Sequence, residues 1–297
     1  MSFRGIGEKE ADVSVALVTD STCDLPADVL ATTGATVVPL YILFGEESFR
    51  QDVDLDTDTF YARQRAAAKA PKTSQPTPAD FKAVYQDLVA KGHDAIVSLH
   101  ISSDMSGTVR SAVAAKDELA AEGAKVDIRV IDSRNVSLGL ALLVIEAGKL
   151  VKAGKGADEV EAALGKLIPR AKVIFYVGTL EYLHKGGRIG LAKALLGALL
   201  SLKLILQVKD GLVQPLSKAR KKAKLYKMMA EMMRKESGGP ADATKVFAAH
   251  GDSPQEYEAM LAELPGEMTA KFVRGRVGGV VGSHSGPDVA GMAYFAV

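Results

Sequence analysis

Length, composition and charge exclude several classes of protein. The chain has 297 residues, of which 47% are hydrophobic, enough for a packed core and for two domains. With 37 basic against 36 acidic residues, it carries no overall charge that would attract nucleic acid or an anionic membrane. Its single cysteine, Cys23, excludes an internal disulfide and a thiolate-rich metal site.

The first residues and the longest apolar stretch bear on localisation. Residues 1–12 are polar and mixed in charge and lack the apolar core of a signal peptide, so we expect a short disordered tail. The longest apolar stretch, residues 194–208, is interrupted by Lys203 and is too short to span a bilayer. The sequence therefore predicts a cytoplasmic protein without a transmembrane segment and without a nucleic-acid partner.

Short apolar strands alternate with longer helical segments between residues 13 and 170. The predicted strands are residues 15–18, 37–40, 95–99 and 128–131. This alternation predicts an α/β fold with a mainly parallel, Rossmann-like sheet and helices on both faces. Ligands of such sheets bind at the carboxyl ends of the strands, where we expect three polar turns to converge: residues 19–22, 100–108 and 132–135.

The pattern changes after Pro169. Residues 173–177 and 204–208 are predicted strands, Asp210-Gly211 is a strong hairpin turn, and a further strand is predicted near residues 269–273. Together with the helical segments among them, these strands predict a mixed or antiparallel sheet backed by helices. We expect an N-terminal α/β domain over residues 13–170, a C-terminal α/β domain over residues 171–297, and a ligand between or beside them.

Two hydroxyl-rich segments, residues 72–76 and 101–108, are suited to an anion. We interpret both as turns before helical segments, the second helix running from Val109 to Ala121. A helix start presents unpaired N–H groups and the positive end of the dipole, and nearby serines add donors. Gly107 permits close approach of the backbone. Taken singly, Ser74 or Ser106 is better explained as a helix cap, but two such segments favour an anion site.

Familiar catalytic signatures are missing, because the sequence contains no GxxxxGK[ST], GxGxxG, HExxH or GxSxG. His284 stands in a glycine-rich segment, residues 282–286, which we interpret as a turn. A lone histidine in such a turn is usually structural, although its imidazole is also a suitable donor to an anion.

Three charged residues have both a functional and an ordinary explanation. Arg188, in the glycine-bearing segment 181–190, is suited to bidentate binding of phosphate or carboxylate, or else forms a surface ion pair. Arg220 is a second candidate cation, or part of a solvated helix face. Asp20 is placed to orient a neighbouring hydroxyl. Because no second carboxylate or histidine clusters with it, we expect no metal.

Six segments in this order resemble the DegV family of bacterial fatty-acid-binding proteins: residues 19–25, 72–76, 101–108, 181–190, 218–223 and 284–287. The resemblance covers nearly the whole chain after residue 12. It implies a two-domain α/β protein that encloses one long-chain fatty acid. It also implies that the hydroxyls of Thr73 and Ser106 hold the carboxylate and that His284 lies near this head group.

The resemblance also implies a partner protein. In family members that work with a fatty acid kinase, the carrier presents the acyl carboxylate for phosphorylation, and the arginines matching Arg188 and Arg220 serve the acyl phosphate or the kinase contact. No cofactor is expected besides the bound fatty acid. The chain departs from the family pattern at Cys23, usually serine, and at Asp104-Met105, commonly glycine and leucine. Four further residues of the matched segments are expected to support the site: Ser74, Gly107, Asp20 and Ser21.

The chemistry of a fatty acid agrees with this composition but leaves alternatives. A buried chain gains about 0.8 kcal/mol per methylene in a dry channel, and its carboxylate needs a few donors. Apolar residues of segments 136–151 and 191–206 line such a channel or form ordinary core. The main alternative is an enzyme acting on a small anionic metabolite with His284 as general acid or base. Another is a regulatory module whose bound lipid changes its affinity for a partner.

Overall fold

The structure, a computed structural model, describes residues 14–194, 202–238 and 245–297. The expected tail at residues 1–12 lies outside them. The strands are β1 (Val15–Asp20), β2 (Thr36–Val38), β3 (Tyr41–Phe44), β4 (Glu47–Arg50), β5 (Lys72–Ser74), β6 (Ala95–His100), β7 (Asp127–Asp132), β8 (Ala171–Val177), β9 (Lys203–Lys209), β10 (Leu212–Ala219), β11 (Phe247–His250), β12 (Val273–Arg276) and β13 (Val289–Phe295). The α-helices are α1 (Ala27–Thr33), α2 (Thr57–Ala66), α3 (Pro78–Ala90), α4 (Thr108–Ala121), α5 (Leu138–Lys152), α6 (Ala157–Leu167), α7 (Glu181–Lys185), α8 (Lys222–Glu236), α9 (Pro254–Leu261), α10 (Gly266–Thr269) and α11 (Gly279–Ser285).

The N-terminal half folds around a parallel sheet in the order β2-β1-β6-β7. Its central strands are short apolar runs that are buried along their whole length, as expected where helices cover both faces. Apolar residues of α3 and α4 pack on one face, and those of α5 and α6 pack on the other. The predicted parallel sheet is confirmed, with each strand end within three residues of the prediction.

The C-terminal half forms a mixed six-stranded sheet in the order β10-β9-β8-β13-β11-β12. All its neighbouring strands are antiparallel except β11 and β12. Asp210 and Gly211 both have positive φ, 52° and 77°, which suits the tight hairpin predicted there. One face of the sheet packs on α8 and α9, and the other shares a core with α5. Helix α5 thereby joins the two sheets.

The predicted α/β class with a parallel and then a mixed sheet is confirmed. The two sheets use strands on either side of residue 170, and the boundary at that residue stays a prediction. Within the described part of the chain, no helix is both long and apolar enough to cross a membrane.

A third, antiparallel sheet in the order β4-β3-β5 was not predicted. Residues 72–74 form its strand β5, so the interpretation of this segment as a turn before a helix was wrong. The side chain of Thr77 caps α3 in a reciprocal capping box with Asp80, whereas Ser74 caps nothing. A polar strand of three residues carries no apolar alternation, and its partner β3 lies some thirty residues earlier, so the sequence gives no local signal for it.

Two further interpretations were wrong. Residues 266–269 form helix α10 after Pro265, and the neighbouring strand starts only at Val273. His284 lies in the last turn of helix α11, not in a glycine-rich turn. The glycines there serve close packing, because a Cβ on Gly282 would lie 2.6 Å from the hydroxyl of Tyr61 and 2.9 Å from Cε1 of Phe60.

Candidate functional site

A cavity of about 200 Å³ lies between the carboxyl ends of the parallel strands, the three-stranded sheet, α11 and the six-stranded sheet. This volume is more than ten times the roughly 10–15 Å³ that a single water requires. Most of its wall is apolar and comes from residues on strands and on α11, among them Val173, Phe175, Val208, Val213, Val281 and Val289. Four of the polar side chains that line it are Thr73, Ser106, Arg188 and His284.

Thr73 and His284 are in direct contact across the cavity wall. Oγ1 of Thr73 lies 2.8 Å from Nε2 of His284. Strand β5 places the threonine and α11 places the histidine, so the contact depends on how these elements dock. Backbone groups of α11 and the residues before it are bound by three side chains from the segment that carries β3, β4 and α2: Gln51, Tyr61 and Gln64.

His284 is neutral at physiological pH. Burial, and to a lesser extent the positive charge of Arg188, lowers its pKa from 6.5 to about 4. Its Nδ1 is buried and makes no hydrogen bond, facing Gly186, where a Cβ would lie 2.1 Å away. A neutral imidazole with Nε2 protonated donates to Thr73 and leaves the threonine O–H free to donate to a ligand.

Ser106 stands in the loop between β6 and α4. Its Oγ lies 2.9 Å from Oγ1 of Thr108 and accepts a hydrogen bond from the backbone N–H of Thr108 at 3.4 Å. These contacts place the Ser106 hydroxyl beside the first turn of α4, whose initial N–H groups have no helical partners. Gly107 is the N-cap of this helix. The loop therefore combines hydroxyl donors with the positive end of a helix dipole.

Arg188 lines the same cavity although it is exposed. Its Nε donates to the carbonyl oxygen of Met105 at 3.1 Å, and its Nη1 donates to that of Gly186 at 2.9 Å. Among the described residues, Arg188 makes no ion pair. The guanidinium thus brings a positive charge, without an ion-pair partner among these residues, to the end of the cavity that contains Thr73, Ser106 and His284, which we call the head of the cavity. This charge is close enough to lower the pKa of His284.

Asp20 and Ser21 do not line this cavity. Their hydrogen bonds join the loops and strands beside it, which we call its framework. The buried carboxylate of Asp20 accepts from the N–H and hydroxyl of Thr22 at 3.0 and 2.5 Å and from the N–H of Ile101 at 3.0 Å, and it contacts Nδ1 of His100 at 3.0 Å. Oγ of Ser21 accepts from the backbone N–H of Leu40 at 3.0 Å.

The third polar turn joins this framework through Ser103 Oγ, which donates to Asp132 at 2.6 Å, and through the Ser102 N–H, which donates to the Asn135 carbonyl at 2.8 Å. The three predicted turns therefore contact one another, but of the three only the turn at residues 100–108 contributes to the cavity wall.

The remaining predicted residues lie in different surroundings. Ser74 lines the cavity and is exposed. Arg220 is exposed at the end of β10 and does not line the cavity. Arg220 is seven residues along the chain from the wall residue Val213, which corresponds to about 23 Å in an extended strand. Cys23 is buried outside the cavity, where burial raises the pKa of its thiol well above the usual range.

The sequence interpretation missed three polar residues of the cavity wall, Gln75, Ser137 and Ser285. Gln75 follows Thr73 by two positions, but it lies just beyond strand β5, for which the sequence gives no local signal, so strand periodicity could not have identified it. Ser137 starts α5 with a strained backbone, φ 54° and ψ −128°, and its Oγ donates to the buried carboxylate of Asp24 at 2.5 Å. No sequence pattern marks that conformation.

Nothing in the described ranges forms a metal centre, since no three histidine, cysteine, aspartate or glutamate side chains are grouped to hold an ion. The donors at the head of the cavity include the hydroxyls of Thr73 and Ser106, a neutral imidazole and a guanidinium. Such a set suits an oxyanion of a ligand whose remainder is apolar.

Comparison with known proteins agrees with this chemistry. A family model described as "Uncharacterised protein, DegV family" matches residues 14–297. A DegV domain-containing protein from Deinococcus radiodurans is 36% identical over 281 residues, which cover 95% of this chain and 98% of that protein. Another from Caldanaerobacter subterraneus is 34% identical over 281 residues, covering 94% of this chain and 98% of the relative.

Solved structures with the same fold include proteins described by their fatty acid binding. A fatty-acid-binding DegV family protein from Thermus thermophilus has a TM-score of 0.84 and 33% identity, covering 96% of this chain and 100% of that chain. A stearic acid-binding protein from Eubacterium ventriosum has a TM-score of 0.85 and 28% identity, with coverage of 95% and 98%. DegV of Bacillus subtilis, also a fatty-acid-binding protein, has a TM-score of 0.84 and 28% identity, with coverage of 96% and 100%. The protein therefore belongs to the DegV family.

Proposed function

We propose that this protein binds one long-chain fatty acid in the cavity and is a lipid carrier without turnover of its own. The observation that carries the proposal is the composition of the cavity wall, where hydroxyls, a neutral imidazole and a guanidinium lie together and most of the remaining residues are apolar. Relatives with the same fold are described as fatty-acid-binding proteins.

The carboxylate is bound by donors that need no protonation change. The hydroxyls of Thr73 and Ser106 each donate a hydrogen bond to one carboxylate oxygen. Nε2–H of His284 donates a hydrogen bond to Oγ1 of Thr73 and so orients the threonine hydroxyl. Hydrogen bonds to a charged group are worth about 1.5–3 kcal/mol each. The acyl chain lies against the valine-rich wall, where each buried methylene contributes about 0.8 kcal/mol.

Access to the head group supports a role in presentation. Ser74 and Arg188 are exposed at this end of the cavity, whereas Val173, Phe175 and Val208 are buried at its wall. The carboxylate end is thus nearer to solvent than the acyl chain. The protein presents the carboxylate to a partner fatty acid kinase and carries the fatty acid or its acyl phosphate, in the cytoplasm.

The two arginines have separate tasks in this proposal. Arg188 lines the cavity and stabilises the phosphorylated head group. Arg220, exposed and remote from the cavity, contacts the kinase. Among the described residues, Arg220 makes no hydrogen bond or ion pair, so it is available to a partner.

The alternative of an enzyme with His284 as general acid or base has less support. A general acid or base is most effective when its pKa is near the working pH, and the pKa of His284 is about 4. At neutral pH only a very small fraction of the imidazole is protonated, so it is a poor general acid, and its low pKa makes it a weak base.

Mass spectrometry of the purified protein, native and after organic extraction, tests the binding proposal. We expect one fatty acid per chain in the wild type and its loss in Ser106→Ala with the fold retained. A protein that is empty and takes up no added fatty acid would refute the proposal. For presentation, Arg188→Ala and Arg220→Ala are expected to retain fatty acid but to slow its phosphorylation by an added fatty acid kinase.

A further inference from the structure

Gln75 lies across the start of helix α4, directly over Gly107. A Cβ on Gly107 would lie 2.2 Å from Oε1 of Gln75, 2.5 Å from its Nε2 and 2.6 Å from its Cδ. The backbone of Gly107, φ −78° and ψ 7°, is open to any amino acid. A side chain at position 107 would therefore have to displace the Gln75 amide.

The Gln75 side chain bridges two parts of the head-group site. It extends from the end of β5, which carries Thr73, and its Nε2 lies 3.5 Å from Oγ of Ser111 on α4. Ser111 is buried, whereas Gln75 is exposed and lines the cavity. The amide thus crosses the opening between β5 and α4, beside Ser106.

The Gln75 amide has more N–H donors than hydrogen-bond partners in the described part of the chain. A glutamine amide has two N–H donors, and only one of them can point to Ser111. A carboxylate accepts about four hydrogen bonds, of which the hydroxyls of Thr73 and Ser106 supply two. A further donor at the opening therefore has an acceptor once a carboxylate is bound.

We propose that Gln75 is a head-group residue, which donates an amide hydrogen bond to the fatty acid carboxylate and closes the opening over it. The proposal rests on the proposed function of the cavity. Because the Gln75 side chain is exposed and held by a single long contact, it swings aside when the carboxylate must be reached. Gly107 is the residue that leaves room for the closed position.

The test compares the rate constant for release of a bound long-chain fatty acid to acceptor lipid vesicles. Gln75→Leu keeps the bulk but removes the donor, and we expect release about tenfold faster, the effect of one lost bond to a charged group. Gln75→Glu keeps the shape but adds a negative charge, and we expect weaker binding still. Gln86→Leu, which changes an exposed glutamine of α3 away from the cavity, is the control and is expected to behave as wild type.

Gly107→Ala is a second, independent test of the proposal, because the added Cβ displaces the Gln75 amide. We expect its release rate to match that of Gln75→Leu, and the double variant to be no faster than either single one. The proposal would be overturned if Gln75→Leu released the fatty acid at the wild-type rate. It would also be overturned if the double variant released it faster than either single variant, by the product of the two separate effects. Either result would leave the fatty acid function intact. A wild type that binds no fatty acid would overturn both.

Discussion

Oγ1 of Thr73 and Nε2 of His284 lie 2.8 Å apart, although 211 residues separate them in the chain. Neither element brings the pair together by itself, since the threonine is the middle residue of a three-residue strand and the histidine lies in the last turn of a short helix. The pair exists only when the segment that carries β3, β4 and α2 is docked on α11.

The pair should act as a unit in fatty acid binding. Thr73→Val removes the hydroxyl that we propose donates to the carboxylate, and we expect a loss of affinity of about 10–100-fold. His284→Gln should weaken binding less in a Thr73→Val background than in the wild type, because the group it orients is then missing. Dissociation constants of the four proteins measure this coupling; strictly additive free energies would contradict it.

The contribution of His284 to the stability of the protein should fall as the pH is lowered from about 6.5 to about 4. The pKa of His284 is about 4 in the folded protein and 6.5 in its ordinary state, so in this window the unfolded chain binds more protons. The stability that neutral His284 provides is complete above 6.5 and is lost towards 4. Free energies of unfolding of the ligand-free protein across this range measure the slope.

His250 also has a pKa lowered by burial, so the total slope contains more than one group. The difference between wild type and His284→Gln isolates the contribution of His284. We expect a smaller slope in the variant, and equal slopes would show that His284 is not the group concerned.

Arg188→Gln should raise the pKa of His284. The charge of Arg188 disfavours the protonated imidazole, and its removal eliminates that repulsion. Burial is the larger cause and remains, so the pKa should stay below 6.5. Titration of the His284 ring by NMR measures the change, with Lys193→Gln, an exposed change in the same segment, as the control.

Val281→Phe should select shorter acyl chains. Val281 lines the cavity from α11, and a larger side chain there occupies space that methylenes would fill. Each methylene excluded costs about 0.8 kcal/mol, or roughly fourfold in affinity. Mass spectrometry of the extracted lipid gives the chain-length distribution. Val113→Phe, on the exposed side of α4, should leave the distribution unchanged.

Asp20→Asn should destabilise the protein. The Asp20 carboxylate accepts three hydrogen bonds and contacts His100 in a fully buried position, and an amide cannot accept them all. Disrupting a buried charged network costs about 3 kcal/mol or more. Denaturant unfolding measures this loss, and Asp117→Asn, an exposed change on α4, serves as the control. An unfolding free energy equal to that of the wild type would contradict the framework role of Asp20.

The parts of the fold that local pattern controls were predictable. The strands of the parallel sheet are apolar runs, and the Asp210-Gly211 turn needs two positive φ angles, so each is marked in the sequence. Strand β5 and the place of His284 in α11 depend on contacts with distant elements. Gln75 was missed because its significance lies in the space above Gly107, and that space depends on the distance between β5 and α4.

The strand β13 lies in the middle of the six-stranded sheet, between β8 and β11, and contributes Val289 and Gly291 to the cavity wall. Until residues 289–295 have been synthesised, the facing edges of β8 and β11 have no partner and the cavity has no complete wall. If the cavity binds a fatty acid as proposed, uptake has to follow synthesis of this strand, and a chain cut before it would be both unable to retain the ligand and prone to aggregate through two open strand edges. A tightly held fatty acid would then serve as a sign that the C-terminal sheet is complete.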